Sequence, residues 1–163
     1  MQAGRLAETD RLRVIAMSNS DAMLEQWFAQ TVESYPRLTA QFLASERDRF
    51  RNPVGHSLRE SLSVLLREIL GSMDAKAIAA ALDGIVRIRA VQDLLPSEAC
   101  GFVFLLRPIL LGSNPPRPAM IEARIDQLAL MAFDCYMDCR EQVAQVRENE
   151  NRRRMGIHAL RGK

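Results

Sequence analysis

The chain has 163 residues, few aromatics and few glycines, a length that fits one domain able to bury a core without disulfides or metal. Its charge is nearly balanced but uneven: residues 147–163 carry six basic against two acidic side chains and the remainder 16 against 18, so the basic excess does not mark a binding face and nucleic acid is not an expected partner. The N-terminal MQAGRLAETDRLRV has no apolar signal core, no segment is long enough to span a bilayer, and three cysteines without a CxxC agree with a reducing compartment, so a cytoplasmic protein is expected.

In chain order, residues 5–17 read as a weak amphipathic helix bearing Leu6, Leu12 and Ile15. Asn19 or Ser20 can cap a second helix with Met23, Leu24, Trp27 and Phe28 inward, ending before Tyr35-Pro36 because a residue preceding proline is pushed out of the α region. Pro36 can open a short third helix carrying Leu38, Phe42 and Leu43. The charged stretch 45–52 reads as a solvated connector. Asn52-Pro53 is a strong start signal, a cap followed by proline at the first helical position. Val54, Leu58, Leu62, Leu65 and Ile69 then form one apolar stripe, closed by Gly71. Asp74 caps the next helix, with Ile78, Leu82 and Ile85 inward and Arg87, Arg89 and Asp93 near its end.

Residues 90–112 hold the densest apolar block. Pro96 and Glu98 suit a helix start and Gly112 a stop, and the apolar residues lie all round the wheel, which predicts a central helix buried on every side. Pro108 should kink it and free a carbonyl near Val103 or Phe104. Asn114 to Pro118 forms a stiff linker. A long final helix starts near Ala119, where Ile121, Ile125, Leu128, Ala132, Cys135, Cys139, Gln142 and Val146 follow heptad spacing. Past Val146 the pattern fails, which predicts a frayed or disordered tail. With no alternating strand candidate, the expected fold is all-α: a single helical bundle of about six to seven helices with a long C-terminal helix, divided into a domain over 1–146 and a charged tail over 147–163.

Candidate chemistry is sparse. His56 and His158 both lie off any apolar stripe and read as surface residues. Cys135 and Cys139 share one helix face, which suits core packing first and a redox or metal role second, since two thiols make half a tetrahedral site. Cys100 reads as packing. Arg107 should reach solvent or meet Glu98, Asp93 or Asp134. No Walker-type loop, dinucleotide fingerprint, HExxH or GxSxG is present, so no catalytic residues, no cofactor and no enzyme activity are expected.

Two stretches carry a resemblance: FRNPVGHSLRESLSVLL (50–66) and IRAVQDLLPSEACGFVFLLRPIL (88–110). The aromatic-Asn-Pro-Val-Gly helix start, the Arg-Ala-Val-Gln-Asp turn and the Pro-Ser lead into an apolar helix, with Trp27 and Tyr35-Pro36 ahead of them, resemble the N-terminal domain of RsbRD-type RsbT co-antagonists over roughly residues 10–145. The resemblance implies a haem-free, globin-like sensory domain that dimerises and acts on a protein partner in a stress-signalling pathway. In its relatives such a domain precedes an output domain. Here nothing after Val146 has room for one, so a free-standing module is expected, and no functional residue carries over from the family. If the chain self-associates, Ile121, Ile125, Leu128 and Ala132 form the expected interface, although the same seam equally suits packing within one chain. The competing expectation is a ligand or redox sensor holding haem, a small apolar molecule or a metal near Trp27, Cys100, Arg107, Cys135 and Cys139.

Overall fold

A computed structural model describes residues 19–45, 48, 50–92, 94–111 and 119–161, with the side chains of 45, 111 and 156–161 excepted. The expected helix over 5–17 and the linker 114–118 lie outside the described residues, which hold helices and no strand. The all-α expectation is met.

Helix α1 (Ser20–Glu33) starts without a side-chain cap, the Met23 N–H donating to the Asn19 carbonyl, and buries Trp27, Phe28, Thr31 and Val32. Ser34 turns the chain out of it, its hydroxyl donating to the Thr31 carbonyl at 2.6 Å. Helix α2 (Arg37–Ser45) buries Leu43 alone of its three expected apolar residues. Leu38 and Phe42 face solvent, because a nine-residue helix lying on α1 and α3 can bury only one narrow edge.

The connector is a turn wound on Asp48. Its carbonyl accepts from the Arg51 and Asn52 N–H groups and its carboxylate from the Phe50 N–H. Asn52, itself buried, then caps α3 (Pro53–Leu70): its Oδ1 accepts from the Gly55 N–H at 2.8 Å and its Nδ2 donates to the Leu43 carbonyl at 3.1 Å. A Cβ on residue 55 would lie 2.3 Å from that amide nitrogen, so the cap requires glycine there. The Asn-Pro-Val-Gly sequence is thus a steric unit. Leu58, Leu62, Leu65 and Ile69 line the inner face of α3, and Val54 sits too near the end to be covered.

Glu68 organises the turn into α4 (Ala75–Val91). Its carboxylate accepts from the Ser72 hydroxyl and the Asp74 N–H, each at 3.0 Å, and these two bonds hold it below the usual carboxylate range, the Asp74 amide contributing most. Met73 completes the turn in the left-handed region. Asp74 caps α4 as expected, accepting from Lys76 N–H at 2.9 Å. α3 and α4 pack on one another, and α4 packs on the last helix.

The apolar block departs from expectation. Instead of one helix buried all round, it forms α5 (Pro96–Cys100) and α6 (Phe102–Leu111), separated at Gly101. Glu98 reaches back to accept from the Leu95 N–H at 2.9 Å, fixing the start of α5. Ala99, Cys100, Phe102, Val103 and Leu106 are buried, whereas Phe104 and Pro108 are exposed and Ile109 is half-buried. A short helix pressed on α1 from one side and the last helix from another leaves its third side to water, however apolar its sequence. Pro108 lies inside α6, where it cannot donate to the Phe104 carbonyl.

Helix α7 (Ala119–Arg161) has 43 residues, about 65 Å at 1.5 Å per residue. Ile121, Ile125, Leu128, Ala129, Ala132, Tyr136 and Cys139 face α4, α5 and α6. The inward row ends there: Gln142 and Val146, expected to extend it, are exposed, because the bundle does not reach that far along α7. Beyond Val146, where a frayed or disordered tail is expected, the helix continues with every described side chain in water, braced by Arg152 on Glu148 four residues earlier at 2.5 Å.

Candidate functional site

Three places gather side chains that could act on something. The first is buried and was not visible in the sequence. Arg89, on α4, is 0 % exposed. Its Nε donates to the Tyr35 hydroxyl at 3.2 Å, one Nη to the Glu98 carbonyl at 3.1 Å, and the other to the Ser34 hydroxyl at 2.9 Å and the Thr31 carbonyl at 3.3 Å. The guanidinium also lies over the Tyr35 ring at 4.7 Å and the Phe102 ring at 5.3 Å. Among the described residues every one of these partners is neutral. The charge is carried by the negative end of α1, by carbonyl dipoles and by two ring faces. Next to it Trp27 donates from Nε1 to the Phe102 carbonyl at 2.7 Å and stacks on the Phe102 ring. This cluster ties α1, α4, α5 and α6 together. It explains Arg89, Trp27 and Tyr35 as residues that hold the fold together. Only the spacing of Arg89 on the inner side of α4 could have hinted at its burial.

The second place is a groove of about 350 Å³ between α4 and α7, lined by Leu82, Asp83, Met131, Asp134, Cys135 and Cys139 among others. One turn of α7 separates the two cysteines, so both thiols point the same way, towards Asp83 on α4. A carboxylate oxygen of Asp83 and the two sulfurs all lie within 4.8 Å of one another. Asp83 is clasped by Arg87 of its own helix, Nη2 to Oδ1 at 2.8 Å. Burial, and after it the neighbouring Cys139 and Asp83, push the Cys135 thiol up to about 12. All three cysteines are free thiols. Sequence reasoning paired Cys135 with Cys139 but missed Asp83, which joins them only through the α4–α7 packing.

The third place is the outer side of α7. The residues expected to form an interface, Ile121, Ile125, Leu128 and Ala132, are 4 %, 0 %, 0 % and 0 % exposed. Their seam is packed on α4 to α6 within the chain. The exposed face carries Ala123, Leu130, Met137 and Ala144 at seven-residue steps, with Phe133 beside them.

The remaining predicted residues are scattered. Arg107 pairs with Asp126 on α7, not with Glu98 or Asp134, and lies 5.7 Å from the Phe104 ring centre; Asp93 is outside the described residues. Cys100 is buried beside Arg89, burial pushing its thiol up and the guanidinium opposing. His56 lies 3.1 Å from Glu60 on the surface of α3, and the side chain of His158 is outside the described residues. Trp27, Arg107 and the cysteine pair therefore do not converge on one pocket.

Residues 21–113, more than half of the chain, match the family of the RsbT co-antagonist protein rsbRD N-terminal domain. The chain belongs to that family. No curated protein matches, and no solved structure does. The rsbRD N-terminal domain match covers α1 to α6 and includes Arg89, Trp27 and the Asn52 cap. It stops short of α7, so Asp83 lies inside the match while Cys135, Cys139 and the exposed heptad lie outside it.

Proposed function

We propose that this chain is a non-enzymatic regulatory module of a stress-signalling pathway that acts in the cytoplasm by pairing with a second copy and by engaging a protein partner. Membership of a stress-signalling domain family supports the regulatory reading. The observation that carries the self-association is the outer row of α7. Two large residues stand between two small ones there, Ala123, Leu130, Met137, Ala144, and the order is the same in size from either end. Two such helices laid antiparallel place Leu130 against Met137 and Ala123 against Ala144, which is the self-complementarity a two-fold interface needs. Leu130 is 67 % and Met137 49 % exposed, a poor use of apolar surface in a lone helix.

Light scattering on size-exclusion eluates tests this. The wild-type chain is expected at twice the monomer mass, and Leu130→Asp/Met137→Asp at the monomer mass with unchanged helical circular dichroism. A wild-type chain that stays monomeric over the micromolar range overturns the self-association. The partner is a separate question, answered by isolating the untagged protein from its own cells.

A further inference from the structure

The geometry points to a divalent metal site between α4 and α7, formed by Cys135 and Cys139 with Asp83, that takes a borderline-soft cation such as Zn²⁺. The ligand atoms already lie within 4.8 Å of one another. Bond lengths of about 2.3 Å to sulfur and 2.0–2.2 Å to oxygen bring tetrahedral ligands to within about 4 Å of each other, so side-chain rotation alone closes the site. The two thiols come from one helix and the carboxylate from another, as in sites that pin two elements together. A fourth position faces the groove, open to water or to a further ligand, and the exposed Asp134 and Asp138 on its wall add negative potential that draws a cation in.

Arg87 does the work that an outer partner does in metal sites. It holds Asp83 through Nη2 to Oδ1 at 2.8 Å and Nε to both oxygens at 3.2 Å, which leaves Oδ2, with one bond, as the oxygen for a cation. The charges also balance: two thiolates and a carboxylate against Zn²⁺ and the Arg87 guanidinium sum to zero. This inference is independent of self-association, which uses the opposite side of α7.

The test is titration of the reduced, metal-free full chain with Co²⁺. One equivalent is expected to produce a thiolate-to-cobalt charge-transfer band and the intense visible bands of a four-coordinate ion, both displaced by Zn²⁺. Cys135→Ser and Cys139→Ser are each expected to abolish the charge-transfer intensity of the paired thiolates, and Asp83→Asn to weaken binding and shift the visible bands. Should a cysteine variant fail to fold, X-ray absorption at the zinc edge of the wild-type protein stands in its place, with two sulfurs expected at about 2.3 Å and lighter atoms completing the shell. A wild-type titration without the charge-transfer band, a zinc shell holding other than two sulfurs, or a spectrum unchanged in Asp83→Asn overturns the site.

Discussion

Helix α7 bears two apolar rows on different sides, and their surroundings could hardly differ more. On the inner side Ile125, Leu128 and Ala132 are 0 % exposed, and two arginines of the same helix tie it to its neighbours: Arg124 donates to the Ile69 carbonyl at 2.5 Å and Arg140 to the Ala90 carbonyl at 3.1 Å. On the outer side Leu130 and Met137 stand in water. The difference teaches that a helix can be locked into its own domain by one face and still offer another. The lock is partly polar. Arg89, Arg124 and Arg140 each donate to a carbonyl in the last turns of another helix, α1, α3 and α4 respectively, where the negative end of the helix favours a cation.

The largest expected effect comes from placing a charge on the inner row. Leu128→Asp buries a carboxylate without a partner and should cost about 4–5 kcal/mol or more, most of the stability of a domain this size, so thermal melts should show no cooperative transition. Next come the arginines, graded by burial. Arg89→Ala strips donors from four buried or half-buried acceptors and should cost about 3 kcal/mol, and Arg140→Ala, which leaves the Ala90 carbonyl short of one donor, about 1–2 kcal/mol. Arg152→Ala on the solvated end of α7 should stay within about 0.5 kcal/mol by urea denaturation. Arg89→Lys should rescue little of the loss, since a single ammonium cannot reach acceptors arranged around a planar fork.

The smallest effect is one of pH. Because Glu68 is held below its ordinary value in the fold, its contribution is present above the unfolded carboxylate range, near about 4.3, and is lost as pH falls through the lowered folded value. Stability of the wild type should therefore drop in acid more steeply than that of Glu68→Gln, in melts taken at intervals across that range.

Much of the scaffold was legible because its signals are local. Asn52-Pro53 and Asp74 announce their helices through caps a few residues long, and the stripe from Leu58 to Ile69 declares its face by spacing alone. The periodicity of Ile121 to Cys139 likewise found the apolar seam of α7. It could not say what covers the seam, since a row buried by a partner and a row buried by the same chain obey the same rule, and the outer row escaped notice because Asp126, Asp134 and Glu141 interrupt it at helical spacing. Arg89 was illegible because its acceptors, Thr31, Ser34 and Tyr35, stand more than fifty residues away. Arg107 found Asp126 19 residues away on another helix, beyond the reach of local spacing, and Asp83 joins the cysteines only once α4 lies on α7.

Leu128 and Leu130 stand two positions apart on one helix, and sedimentation velocity with circular dichroism on their aspartate variants tests the two-faced reading of α7 most directly. Leu128→Asp should sediment as an expanded, largely unfolded chain, and Leu130→Asp as a folded monomer, with the wild type expected as a dimer. A Leu128→Asp protein that stays folded, or a Leu130→Asp protein that sediments like the wild type, would contradict it.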